Sequence, residues 1–137
     1  MRHFKKVVYG QLNARQKEVH NFHLVCALLA QHGYASYLVR DDWSGADFVA
    51  RHMLSGEMLA VQLKPRVVFD KKYQNKEIWI AFRDGSAAYV YPHDRILAAY
   101  LETNSMTTNR SWQRDGSVSW SRITRDLRSL LSGFRLE

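Results

Sequence analysis

Between Asp47 and Lys64, apolar and polar residues alternate on either side of a Ser55–Gly56 turn signal, the pattern of a half-buried antiparallel hairpin. A two-residue turn at Ser55 and Gly56 pairs Leu54 with Glu57, Arg51 with Ala60, Val49 with Gln62 and Asp47 with Lys64. Directly opposed residues of antiparallel strands point to the same side of a sheet. One face then takes Phe48, Ala50, Leu59, Val61 and Leu63 as core, and the other collects Asp47, Gln62 and Lys64. A slip of one residue would exchange the two faces, so this reading depends on where the turn falls.

The flanking sequence places the hairpin in an α+β domain. A helix opens at Leu12–Gln16, where Asn13 and Gln16 have the spacing of a capping box. Val19, Phe22, Cys26 and Leu29, widened by Val25, form its apolar stripe, and Gly33 ends it. Tyr34 to Arg40 reads as a strand and Asp41 to Gly45 as a loop. Pro65 closes the hairpin's second strand, with Arg66 to Asp70 extending or bending it, and Lys71 to Lys76 is a basic loop. A second hairpin, Ile78 to Phe82 and Ala87 to Tyr91, turns at Asp84-Gly85 as a type I′ turn, and Pro92 leads into a helix carrying Ile96, Leu97, Tyr100 and Leu101. Thr103 to Gly116 lacks periodicity and reads as a loop, and a last amphipathic helix runs from about Ser119 to Leu131, with Ile123, Leu127, Leu130 and Leu131 apolar. The expectation is an N-terminal helix packed on a mixed, mainly antiparallel sheet with C-terminal helices. It forms one domain over residues 1–137, with a core at 13–101 and a C-terminal appendage at 103–137.

Composition narrows the function classes. With 46% hydrophobic and 24% charged residues, the chain is neither disordered nor collagen-like. Its net charge of +7 favours a polyanionic partner, most often nucleic acid. The single cysteine, Cys26, has no disulfide partner within the chain, and no apolar run is long enough to span a bilayer. Basic residues at the N-terminus lack the apolar segment of a secretory signal, so a cytoplasmic protein is expected.

The polar face of the first hairpin carries the chemistry. A carboxylate and an amide oxygen are hard ligands suited to a partly hydrated Mg²⁺, and a neighbouring ammonium stabilises developing negative charge. These are the parts of a metal-assisted phosphodiester hydrolysis site. Glu18 shares a helix face with Phe22, Val25 and Leu29 and begins the stripe that packs on the sheet, so it is a further candidate ligand. An Asp opposite a Lys is equally an ordinary cross-strand pair worth about 0.2–1 kcal/mol. Spacing alone leaves both readings open.

Asp47 at the start of one strand, with Gln62-Leu63-Lys64 on the next, resembles the signature of the PD-(D/E)XK nuclease superfamily, whose fold is restriction-endonuclease-like. The resemblance runs from about Asn13 to Lys64, and on to Leu101 if the second hairpin and helix complete the sheet. The form with Gln in the tripeptide is similar to a homing-endonuclease branch and to some repair and restriction-like members. The resemblance implies Asp47 as principal metal ligand and Glu18 as a direct or water-mediated ligand. It also implies the Gln62 side-chain oxygen and the Leu63 carbonyl in the metal shell, and Lys64 positioning the nucleophilic water. The implied protein is a Mg²⁺- or Mn²⁺-dependent endonuclease hydrolysing DNA phosphodiester bonds. Double-strand cutting favours a homodimer, because a lone site cuts one strand, and the last helix is the candidate interface. The alternative is a catalytically inactive module of the same fold that binds nucleic acid or a protein partner. Three features depart from the family pattern: Ala46 precedes Asp47 where a proline is common, Gln62 removes a negative charge, and a hairpin rather than a crossover helix follows Lys64.

For substrate contact, Lys5, Lys6, Lys71, Lys72, Arg110 and Arg114 are candidate phosphate-neutralising groups, with Trp112 either stacking on a base or pinning its loop to the core. Arg122, Arg125 and Arg128 mark the exposed side of the last helix, and Trp120 is expected in the core. His20, His23 and Cys26 fall three apart, but that spacing drifts around the helix and lacks a fourth ligand, so a zinc site is not expected.

Overall fold

The computed structural model of the chain describes residues 3–43 and 45–137, with the backbone alone at 41–43. Helix α1 (Ala14–Gln31) begins with the capping box that the spacing predicts: the Asn13 side chain accepts the Gln16 N–H at 2.8 Å, and the Gln16 side chain accepts the Asn13 N–H at 3.0 Å. Its buried stripe is Asn21, Val25, Leu28 and Leu29, with Phe22 and Cys26 half-buried. Val19, expected in that stripe, is 45% exposed.

Strands β1 (Tyr34–Trp43), β2 (Ala46–His52) and β3 (Met58–Leu63) form an antiparallel meander. β1 runs through Asp41–Trp43, where the sequence suggests a loop; Ser44 of that segment lies outside the described residues. The chain then crosses by way of β4 (Val68–Asp70) and a 3-10 turn at Lys71–Tyr73 to β5 (Ile78–Asp84), which pairs parallel to β3. β6 (Ala87–Pro92) returns antiparallel and leads into α2 (His93–Thr103). After these come α3 (Arg110–Asp115), β7 (Ser117–Ser119), α4 (Arg125–Leu131) and β8 (Arg135–Leu136). The main sheet has the order β1-β2-β3-β5-β6-β8, and β4 pairs with β7 in a two-stranded ribbon. The result is a mixed α+β fold with a mostly antiparallel sheet.

Strand alternation gives the sheet two apolar faces. Val25, Leu28 and Leu29 of α1 pack on Phe48, Ala50, Leu59, Val61, Ala81, Ala88 and Val90. The opposite face presents Ile78, Ile80, Phe82, Tyr89 and Tyr91 to Phe69, Ile96, Leu97, Trp112, Leu127 and Leu131. Leu127 and Leu131 are fully buried, and each such side chain contributes about 1.5–3 kcal/mol by leaving water. Leu127 and Leu131 of the last helix therefore belong to the core of the domain.

Several expectations need correction. The β2–β3 loop holds four residues, 53–56, because His52 and Glu57 close it: the His52 N–H donates to the Glu57 carbonyl, and His52 Nδ1 accepts the N–H groups of Leu54 and Ser55. Phe48 consequently faces Val61, Val49 faces Ala60 and Arg51 faces Met58, two residues from the expected register. A two-residue shift preserves the side of the sheet, so the core face remains as predicted. In the second hairpin Asp84 pairs with Ala87, leaving Gly85-Ser86 as the turn, and only Gly85 has positive φ, which is the pattern of II′ and not of I′. Residues 103–116 contain α3, capped by Asn109, and the predicted helix at 119–131 shortens to α4, capped by Thr124. The segment read as an appendage supplies β7 to β4 and β8 to β6, so it completes the domain.

Gly33 joins α1 to β1 with φ +88°, and an added Cβ would lie 2.7 Å from His52 Nε2. Gly33→Ala is expected to cost about 1–3 kcal/mol, from left-handed backbone strain and from displacing the imidazole that holds the β2–β3 loop. Urea unfolding checks this, with Gly10→Ala, which meets nothing within 4 Å, as the near-neutral control.

Candidate active site

The end of the sheet at which β3 terminates gathers Asp47, Gln62, Lys64 and Lys72. Continuing the observed β2–β3 register sets Asp47 opposite Gln62, on the face opposite α1. Asp47 Oδ2 accepts the Leu63 N–H at 2.8 Å, so a carboxylate, not a backbone carbonyl, ends the ladder there. On the other side the Lys64 N–H donates to the Ala81 carbonyl at 2.8 Å. Gln62-Leu63-Lys64 is thus tied to Asp47 on one flank and to β5 on the other.

The Lys64 side chain folds over Tyr73, its ammonium 5.4 Å from the ring centroid, and the Lys72 ammonium lies 5.2 Å from the same ring. Tyr73 is buried. Burial pushes its phenol above the usual tyrosine range, the Lys72 charge opposes this, and the Asp70 and Asp47 carboxylates push it further up. Asp70 caps the 3-10 turn by accepting the Lys72 N–H at 2.9 Å and approaches the Lys72 ammonium at 3.8 Å. Two carboxylates and two ammonium groups therefore surround one phenol ring. Asp70 and Tyr73 escaped the sequence reading; the Asp70-x-Lys72 capping pattern was the available signal for the first, and nothing local marks the second.

Glu18 is not brought into this group. Its side chain is 69% exposed and lies 3.5 Å from Arg15, one turn from Phe22, which packs edge-to-face on Phe48 on the α1 side of the sheet. Lys71 does meet α3, its ammonium 5.1 Å from the Trp112 ring, with Lys72 beside it in the turn and Arg110 and Arg114 exposed along the helix. Trp112 itself is 7% exposed and belongs to the core, so it pins this segment and is not available to stack on a base. Arg114 is paired with Asp115 at 3.2 Å. Lys5 and Lys6 are exposed in the segment before the first 3-10 turn, Tyr9–Gln11. Burial raises the Cys26 thiol pKa, partly opposed by a hydrogen bond with Ser36, which lowers its thiolate fraction.

The crossover that carries Tyr73 is held by three side chains from the β6–α2 junction. The buried Tyr91 hydroxyl donates to the Val68 carbonyl at 2.7 Å and accepts the Val68 N–H at 3.1 Å. His93 Nε2 accepts the Asp70 N–H at 2.9 Å, so Nδ1 carries the ring proton and donates to Asp94 Oδ1 at 2.9 Å. Asp94 Oδ2 accepts the Asn75 N–H at 2.8 Å, where the chain takes φ +63°. Tyr91, His93 and Asp94 thereby fix the backbone on both sides of Tyr73.

Tyr91→Phe is expected to leave the buried Val68 N–H and carbonyl without partners and to destabilise the protein by about 2–4 kcal/mol. Urea unfolding measures it, with Tyr34→Phe, whose hydroxyl makes only an exposed 3.4 Å contact to Glu57, as the reference.

For the metal implied by the resemblance, the donor chemistry fits at the level of one carboxylate, the Gln62 amide oxygen and a backbone carbonyl, since Mg²⁺ binds through one or two carboxylates and retains several waters. Among the described residues no group of three His, Cys, Asp or Glu side chains is arranged to hold a metal ion. No helix among them is long and apolar enough to cross a membrane. Comparison of the chain with protein-family models, with curated proteins and with solved structures finds no match.

Proposed function

We propose that this protein is a metal-dependent endonuclease that hydrolyses DNA phosphodiester bonds at the Asp47–Lys64 site, on a restriction-endonuclease-like core. The observation that carries the reading is the Asp47 carboxylate bonded to the Leu63 N–H, which brings Asp47 and the Gln62-Leu63-Lys64 tripeptide together at one point. The three-stranded meander after α1, followed by a crossover to a strand parallel to β3, supports it. So does the net charge of +7, which suits a polyanionic substrate.

In this reading Asp47, the Gln62 amide oxygen and the Leu63 carbonyl hold a Mg²⁺ ion. When bound, that ion supplies Lewis-acid polarisation of a phosphoryl oxygen and a more acidic water. Lys64 brings a fixed positive charge to the same rim, where it orients the attacking water and stabilises the negative charge that develops on the phosphoryl oxygens. Tyr73 limits the freedom of the Lys64 stem, so less order is lost when substrate binds. Neutral Gln62 favours a second reading, a DNA-binding module of the same fold without cleavage, because it leaves the site one negative charge short of the acidic form of the tripeptide.

Supercoiled plasmid incubated with Mg²⁺ or Mn²⁺ separates the two readings. Cleavage by wild type that falls by about a hundredfold or more in both Asp47→Ala and Lys64→Ala, with DNA retardation retained, is the expected result. Retardation without cutting by wild type favours the non-catalytic module.

A further inference from the structure

A second cationic group lies on the α1 side of the same rim, built around Tyr9. The Arg83 guanidinium stacks on the Tyr9 ring with its central carbon 3.6 Å from the centroid, and the Lys17 ammonium lies 5.5 Å from that centroid. The His20 ring meets Tyr9 edge-on at 5.3 Å, and the Tyr9 hydroxyl donates to the Asn21 side chain at 3.1 Å, which locks the ring. Among the described residues no ion pair engages Lys17 or Arg83, and no hydrogen bond is made by the Arg83 guanidinium, whose Nε is buried without a partner. A guanidinium held by stacking alone, with its Nε covered, has its two terminal nitrogens left as donors for a ligand. It is preorganised for bidentate bonding to a phosphate, which a loose surface arginine is not.

Position connects this group to the proposed site. The Lys64 N–H bonds to the Ala81 carbonyl, and Arg83 is two residues further along β5, about 7 Å away, on the face that packs against α1. Asp47 and Lys64 occupy the opposite face at the same end of the sheet. Lys5 and Lys6 lie four and three residues before Tyr9 in the exposed segment that leads into its turn.

We infer that Arg83, Lys17 and His20, arranged around Tyr9, form a binding site for the phosphodiester backbone of DNA, which crosses the rim between this patch and Asp47–Lys64. The inference rests on the proposed nuclease reading for its substrate class but not on cleavage. Arg83 is the bidentate phosphate anchor, Lys17 adds charge that salt screens, His20 walls the site edge-on to Tyr9, and Tyr9 is a positioning residue that fixes the guanidinium. None of them reads bases.

The test is fluorescence anisotropy of a labelled duplex titrated with protein across a salt series, without divalent metal so that binding is separated from cutting. Lys17→Gln and Arg83→Gln are each expected to lower the magnitude of the slope of log K against log salt by about one, and the double variant by about two. Thermal melting confirms folding, and Lys17→Gln tests the patch without disturbing the Arg83 stack. Unchanged slopes in folded Lys17→Gln and Arg83→Gln overturn the inference, as does a wild type that does not bind DNA. A slope that falls instead with Arg110→Gln and Arg114→Gln overturns it in favour of α3. Wild type that binds through this patch but cuts no DNA upholds the inference while defeating the hydrolytic reading, and cutting that survives with the patch variants' slopes unchanged does the reverse.

Discussion

The Tyr91 hydroxyl, bonded to both the N–H and the carbonyl of Val68, is the contact on which the arrangement depends. β3 and β5 are parallel, so the chain between them must travel back along the sheet, and here it does so without a helix to satisfy its backbone groups. A crossover of this kind passing under the sheet would bury unpaired N–H and C=O groups at substantial cost. Tyr91, His93 and Asp94 supply the missing partners from one short stretch, and the β4–β7 ribbon supplies others. With the crossover fixed, Tyr73 has a fixed place, and Lys64 has a surface on which to rest.

This division of labour explains why the sheet's two faces differ in kind. The α1 face is an aliphatic core dominated by small and branched side chains, and it closes by ordinary helix-on-sheet packing. The opposite face is aromatic and carries buried polar bonds, because it must accommodate the crossover as well as α2, α3 and α4. Both faces reach the same rim, where β3 ends. Polar residues there are anchored from below by each core: Asp47 and Lys64 from the crossover side, Arg83 and Lys17 from the α1 side.

Legibility in the sequence followed the range of each interaction. The capping box at Asn13 and Gln16 is a local pattern and is present as read. Hairpin faces were legible because alternation has a period of two, so the error introduced by the four-residue loop, a shift of two residues, left Asp47, Gln62 and the core on their expected sides. The loop length itself was not legible: it depends on His52 bonding to two N–H groups beyond it, a turn stabiliser that no Gly-based signal announces. α3, within the segment read as a loop, was not legible because a six-residue helix that buries one side chain has too few turns to display a periodic stripe, whereas α4 was legible from its stripe but starts at Arg125 and not near Ser119.

By itself the sequence determined the elements near the N-terminus, the α+β class, the basic character and the pairing of Asp47 with the Gln62-Leu63-Lys64 strand, all of which follow from spacing along the chain and from side-chain alternation. Only the tertiary structure decided the parallel placement of β5, the burial of Trp112, the seat of Lys64 on Tyr73, the stacking of Arg83 on Tyr9 and the separation of Glu18 from Asp47. Each of these joins residues from elements that are not neighbours in the chain, and such contacts are selected by which buried backbone and charged groups find partners once the cores have closed, a competition that no local pattern encodes.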